Sequence, residues 1–336
     1  MQRPDAEKLS RGVFYTQGNP FVFEAFRRWY AAARPRMPLL EPFAGVGRIP
    51  KLVAEAGFEA SWDLYDIDRR LAGVRHNDSL ASYPQGYEMT ITNPPYLSLH
   101  QAKRKGLGVR REDFRGYPSL YLVAVKEALE ACPYVAMIIP ESFITSGYFR
   151  ERLEHFVSLP FQMFDDTEMP TALVMWGPEE SDDFEIWRAD QRLGRYSQLG
   201  AEPEATPCAE RLRFNDRQGT VGLRAIDDTR KPTIRFCPAS EIAPERIKHT
   251  SRMLTRISVK DLEQGREPEL IDAANQLLWE WRERTEDVLL TAFKGVREDG
   301  RFRRRLDFAR ARALLSQALC RVEGHEHAGE TSGGDV

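Results

Sequence analysis

At 336 residues and 42% hydrophobic content the chain can bury a sizeable core, and its length predicts two domains rather than one. No stretch approaches the roughly 18 to 20 consecutive apolar residues of a membrane helix, and the opening MQRPDAEKLSRG lacks the apolar segment of a signal peptide. The expected location is therefore cytoplasmic, in a bacterium or archaeon or from a phage. The net charge of -3 conceals an asymmetry: from Cys208 to Arg321 there are about 24 Lys plus Arg against about 18 Asp plus Glu, so that region is basic and the rest acidic. Cys132, Cys208, Cys237 and Cys320 lie far apart with no CxxC pair, which argues against a zinc knuckle or a disulfide framework and predicts reduced thiols.

From Pro38 to Trp176 short apolar runs alternate with helix-like stretches, the pattern of a parallel sheet covered by helices. Strands are predicted at PLLEPF, ASWDLYD, YEMTITN, YVAMIIP, FQMF and TALVMWG, with helices at RIPKLVAEAGF and SLYLVAVKEALEAC. The polar, turn-rich segment Gly200 to Pro207 reads as a linker. The expected domains are 1–199, 200–322 and a disordered tail, 323–336, whose His325 and His327 read as part of a frayed end rather than a metal site. In the second region GTVGLRAIDD and KPTIRF read as strands and turns, and Leu270 to Cys320 as a charged helical stretch with LIDAANQLLWEWRERTEDVLLTAF as its clearest helix.

In open α/β sheets ligands bind beyond the carboxyl ends of the strands. The first predicted strand ends EPFAGVG, with Glu41 and Phe43 at its tip and Gly45 and Gly47 permitting a tight turn with close backbone approach. The second ends YDID, placing Asp66 where a carboxylate can accept two ribose hydroxyls, and Asp78 in HNDSL is placed to accept from an adenine amine. The loop has neither the GxGxxG of a dinucleotide fold nor the lysine of a phosphate loop. A cofactor with ribose and adenine but no phosphate, such as S-adenosylmethionine, fits better.

ITNPPY then breaks an apolar run with an asparagine, two prolines and a ring. With Asn93, Pro94, Pro95 and Tyr96 in that order, residues 11 to 176 resemble the N6-adenine DNA methyltransferases of the amino-methylating family, in its gamma arrangement. The Tyr15–Thr16 pair resembles the N-terminal cofactor motif, EPFAGVG the glycine loop, YDID and ND the acidic motifs, and NPPY the catalytic motif. IIPESFITSGYFRERL resembles the segment after the fifth strand and TALVMWG the late antiparallel strand. The implied fold is a Rossmann-like methyltransferase sheet with a C-terminal α+β target-recognition domain. The implied chemistry has the Asn93 side-chain oxygen and the Pro94 carbonyl accept the two amine hydrogens of a flipped-out adenine, with Tyr96 and Phe164 as stacking aromatics. No metal is implied, because the leaving group is already a sulfonium.

Double-stranded DNA is the implied partner, with a cognate restriction endonuclease sharing the site and a monomeric enzyme. Candidate DNA contacts are Lys103, Arg104, Lys105, Arg110 and Arg111 after the catalytic turn, and Lys248, Arg252, Arg256, Arg303 and Arg304 in the C-terminal region. RNA-adenine and protein-glutamine methyltransferases use the same NPPY chemistry, N4-cytosine enzymes use related chemistry, and a non-catalytic specificity subunit is a different class; all four remain alternatives.

Overall fold

Strands buried on both faces read as continuous apolar runs. MTIT and YVAMIIP are of this kind, and they occupy the middle of the sheet in the computed structural model, which describes residues 18–105, 110–161, 163, 169–199, 203–247 and 252–324. The chain divides into two compact units, Met1–Leu199 and Gly200–Val336.

The first unit is an α/β domain on a nine-stranded sheet. Its strands are β1 (Leu39–Glu41), β2 (Trp62–Asp66), β3 (Arg75–His76), β4 (Met89–Thr92), β5 (Tyr134–Pro140), β6 (Leu153–Ser158), β7 (Thr171–Trp176), β8 (Glu185–Arg188) and β9 (Gln191–Arg195), in the order β3-β2-β1-β4-β5-β7-β6-β8-β9. The first five run parallel, β7 is antiparallel to β5 and β6, and β9 is antiparallel to β8. This is the open sheet expected from the alternating pattern. One expected strand is absent: Phe161 and Met163 of FQMF lie in bends, and the strand at that place is β6. Pro160, just before FQMF, has no N–H for a ladder, whereas Leu153, Phe156 and Val157 of β6 are buried between β7 and β8.

Helix α1 (Glu24–Ala33) buries Phe26 and Trp29, α2 (Arg48–Glu55) follows the glycine loop, α3 (Leu99–Lys105) follows NPPY, and α4 (Leu120–Ala131) is buried from Leu120 to Val125. Phe26, Trp29, Tyr30, Phe58 and Tyr134 make edge-on and tilted ring contacts that fasten α1 and the end of α2 to the sheet.

The second unit has an antiparallel sheet of β10 (Leu212–Phe214), β11 (Val221–Arg224), β12 (Arg235–Pro238) and β13 (Leu254–Val259), ordered β10-β13-β11-β12. Helix α5 (Glu267–Thr285), a hairpin of β14 (Thr291–Val296) and β15 (Phe302–Arg305), and α6 (Phe308–Val322) complete it. The expected helical stretch from Leu270 to Cys320 is therefore broken by the β14–β15 hairpin, and its clearest helix, expected through Phe293, stops at Thr285. Glu286 and Asp287 take left-handed φ of 47° and 63° and the chain turns toward β14. Gly219 is required by a close approach: a Cβ there would lie 2.5 Å from the Ile257 carbonyl carbon.

Asp227, fully buried, joins these elements. Its Oδ2 is 2.9 Å from Arg282 Nη2 and 3.0 Å from Arg297 Nη1, and its Oδ1 accepts the N–H groups of Thr233 and Ile234. Arg282 also holds Asp287, 2.7 Å from Nε. Burial opposes ionisation of Asp287, but the Arg282 hydrogen bonds and charge outweigh it and keep the carboxyl below its ordinary pKa.

The reduced-thiol expectation fails for one pair: Cys208 and Cys320 form a disulfide with Cα atoms 6.4 Å apart. Although 112 residues separate them, the turn Pro207–Arg211 lies against α6, where Thr206 N–H donates to Ser316 Oγ and Arg312 to Ala209 O. Cys132 and Cys237 are free and buried. Among the described residues no helix is long and apolar enough to cross a membrane.

Candidate active site at the carboxyl edge of the first sheet

β1 and β4 are neighbours, so their last residues meet. Glu41 ends β1 with 0% exposure, and its Oε1 accepts from Thr92 Oγ1 at 2.5 Å and from Phe43 N–H at 3.2 Å. Oε2 is buried without a hydrogen-bond partner among the described residues. Burial pushes the Glu41 pKa up to about 8; the Thr92 and Phe43 hydrogen bonds oppose the rise and the Asp66 charge adds to it. A buried carboxyl oxygen that lacks a partner costs free energy until a ligand supplies a donor or a cation.

Beside it, Gly45 and Gly47 have φ of 51° and 76°, and the space where their Cβ atoms would stand is open to 4 Å. Asp66 ends β2, and its Oδ2 accepts the Gly45 N–H at 2.8 Å while Oδ1 accepts Asp68 N–H at 2.9 Å. Asp66 thus shapes the glycine loop, and each oxygen keeps a further lone pair. Asp78 is exposed and accepts from Leu80 and Ala81 N–H in its own turn.

Asn93 follows β4 half-buried, with Pro94 buried and Pro95 exposed. Tyr96 Oη lies 2.5 Å from Asn93 Oδ1 and 2.7 Å from the Ile138 carbonyl of β5. Burial raises the Tyr96 pKa, so its hydroxyl stays a donor. The turn is stitched to the start of α4: Ser119 Oγ and Leu120 N–H both donate to Leu97 O, at 3.1 and 3.0 Å, and Leu99 N–H donates to Pro118 O. Tyr121 stands edge-on to Tyr96 with centroids 6.5 Å apart.

The structure brings together Glu41, Phe43, Gly45 and Asp66 at one place, and Thr92, hydrogen-bonded to Glu41, directly precedes Asn93 in the chain. Thr92 and Ser119 were not singled out from sequence. The signal for Thr92 is the alternation of Thr90 and Thr92 on one buried face of an otherwise apolar strand. Tyr15, Thr16, Phe164, Lys248, His325 and His327 lie outside the described residues, as do the side chains of Arg104 and Lys105. Lys103, Arg110, Arg111 and Arg252 are exposed.

Three other arginines differ from a free cation. Arg304 is buried at 5% exposure and its charge helps to hold Asp287 ionised, so it belongs to the ion cluster and not to a solvent-facing surface. Arg256 donates to Ile242 O and Arg217 O, and Arg303 donates to Asp227 O and stacks on Phe293 at 5.1 Å.

No family model and no curated protein sequence matches the chain. Among solved structures it is similar to the M protein of the type I restriction enzyme EcoKI, at 12% identity over 51% of this chain and 47% of that one, TM-score 0.36. It is also similar to a type I restriction-modification methyltransferase subunit from Streptococcus thermophilus, at 12% identity over 52% and 46%, TM-score 0.34. TrmN from Thermus thermophilus is 18% identical over 48% and 52%, TM-score 0.31. The chain thus spans about half the length of each of these proteins.

Proposed function

We propose that this chain is a site-specific DNA methyltransferase that moves a methyl group from S-adenosylmethionine to the N6 amine of an adenine flipped out of duplex DNA, within a restriction-modification system. Residues 1–199 form its catalytic domain and 200–322 its target-recognition domain. The observation that carries this reading is the proline-stiffened turn that presents the Asn93 amide directly after Thr92, whose hydroxyl holds the buried Glu41. A buried acid with an orphan oxygen and a glycine loop open where Cβ atoms would stand fit a cofactor that has an ammonium group and a nucleoside. Glu41 would hold the ammonium, Asp66 the ribose hydroxyls and Asp78 the adenine edge, with Gly45, Gly47 and Phe43 against the nucleoside. The bound cofactor supplies an electrophilic sulfonium methyl.

An exocyclic amine conjugated to a purine is a poor nucleophile, because its lone pair is delocalised into the ring. Asn93 Oδ1 and the Pro94 carbonyl accept its two hydrogens, the nitrogen becomes more tetrahedral, and its lone pair turns toward the methyl. Tyr96 gives the base a ring to stack on, and its hydroxyl orients Asn93. Both Asn93 Oδ1 and Ile138 O only accept, yet the hydroxyl has one hydrogen. A half-turn of the amide places Nδ2 on Tyr96 Oη, gives the hydrogen wholly to Ile138 O, and frees Oδ1 for the substrate.

Transfer of tritiated methyl from S-adenosylmethionine to duplex DNA, RNA and a protein extract in parallel, with nucleoside analysis, tests the reading. N6-methyladenine in DNA alone is expected; label in RNA or protein overturns the choice of substrate, and N4-methylcytosine the choice of base.

Glu41 makes a second expectation. At pH 7, binding of the cofactor's ammonium should drive off the Glu41 proton, so calorimetry in buffers of different ionisation enthalpy reads release of about one proton in the wild type and none in Glu41→Gln. A folded-state pKa of about 8 against an ordinary 4.5 gives a contribution fully present below pH 4.5 and lost as pH rises through 8. Without cofactor, Glu41→Gln should therefore lose less melting temperature than wild type between pH 5 and 9. Equal proton release in the two proteins removes Glu41 from the cofactor site.

A further inference from the structure

The second unit carries a cavity of about 500 Å³ lined among others by Arg224, Lys231, Thr233, Arg235, Met253 and Arg303. The register of β11 on β12 sets Arg224 directly opposite Arg235, and like charges so placed repel. The acids of the cavity do little to offset them. Asp227 is committed to Arg282 and Arg297, and Asp228 accepts the N–H groups of Arg230 and Lys231 in its own turn.

Glu241 is the carboxylate that reaches both arginines. It lies in a fork on Arg235, with Oε1 3.1 Å from Nη1 and Oε2 2.5 Å from Nη2, while Oε2 stands 3.7 Å from Arg224 Nε. Arg224 Nε is shielded from solvent and makes no hydrogen bond among the described residues. Arg224 Nη2 donates to the Glu241 backbone carbonyl at 3.2 Å, so the backbone holds Arg224 in place while the one carboxylate serves two guanidinium groups and leaves Nε unmet. The three side chains are 34 to 42% exposed, and ion pairs open to water in this way are weak and exchange readily.

We propose that this groove seats a backbone phosphate of duplex DNA between Arg224 and Arg235, and that Glu241 fills the seat in the free protein and swings out when DNA arrives. The inference rests on the reading of DNA as substrate. A backbone phosphodiester offers the same two-oxygen edge as a carboxylate, and its tetrahedral centre lets one non-bridging oxygen face Arg235 while the other faces Arg224 Nε. Lys231 also lines the groove, as does Arg303, which is held by Asp227 O, and Met253, 54% exposed, adds an apolar side chain.

Fluorescence anisotropy with a labelled random-sequence duplex over a series of salt concentrations tests this, because phosphate contacts do not depend on sequence. Arg224→Gln and Arg235→Gln should each weaken binding about three- to tenfold and lower the slope of log affinity against log salt by about one. Arg224→Lys keeps the charge and should keep the slope. Glu241→Gln should tighten binding about threefold, a change opposite in sign to that of a damaged fold. If wild type binds DNA and the arginine variants keep its affinity and slope, the seat is refuted while the enzyme reading stands; weaker binding by Glu241→Gln refutes the stand-in. If wild type methylates RNA or protein and does not bind the duplex, both fall.

Discussion

On the proposed function, Asn93→Ala is expected to lower kcat by about a thousandfold or more while S-adenosylmethionine binds with nearly wild-type affinity, because that reading makes Asn93 the preorganised acceptor at the reacting nitrogen and gives the cofactor to Glu41 and the glycine loop. Single-turnover methylation with calorimetry of the cofactor checks both halves. Near-wild-type transfer would show that Asn93 is not the amine acceptor. Tyr96→Phe separates the two parts given to that residue. It keeps the ring and removes the hydroxyl that holds the Asn93 amide and donates to Ile138 O, so kcat should fall about tenfold or more with little change in KM for DNA. An unchanged kcat would leave Tyr96 a stacking ring only.

Asp227→Ala is expected to destabilise the second unit by about 3 to 5 kcal/mol, since it takes the fully buried carboxylate from Arg282 and Arg297, leaving them Asp287 and Asp299, and takes the acceptor from Thr233 and Ile234 N–H. Urea unfolding followed by the fluorescence of Trp279 and Trp281 on α5 reads it; a change under 1 kcal/mol would mean that water reaches the cluster. The same cluster sets an acid limit. Asp287 is held below its ordinary 3.8, so its contribution is present above that pH and lost as pH falls through the lowered value.

The parts of this fold legible in the sequence are those where one local cause decides. YVAMIIP is apolar enough to be a central strand in any context, and NPPY cannot continue one. FQMF misleads because apolar content alone favours a strand, while Pro160 and the partners available to LEHFVS decide otherwise. The end of α5 was unreadable because Glu286 and Asp287 have no cap signature; a contact with Arg282 fixes the turn. RFRRR cannot reveal that Arg304 is buried, since the carboxylates that make burial tolerable come from other elements. At the site, the acids and glycines stood out at strand ends, but the Thr92–Glu41 bond joins residues 51 apart and appears only once β1 lies beside β4.

The Cys208–Cys320 bridge ties the start of the second unit to its last helix, α6. A unit whose first and last elements are held within one side chain's reach is closed on itself, so its interior can vary without moving its ends. On the proposed function, such a closed module lets the recognition half change while the catalytic half keeps its sequence.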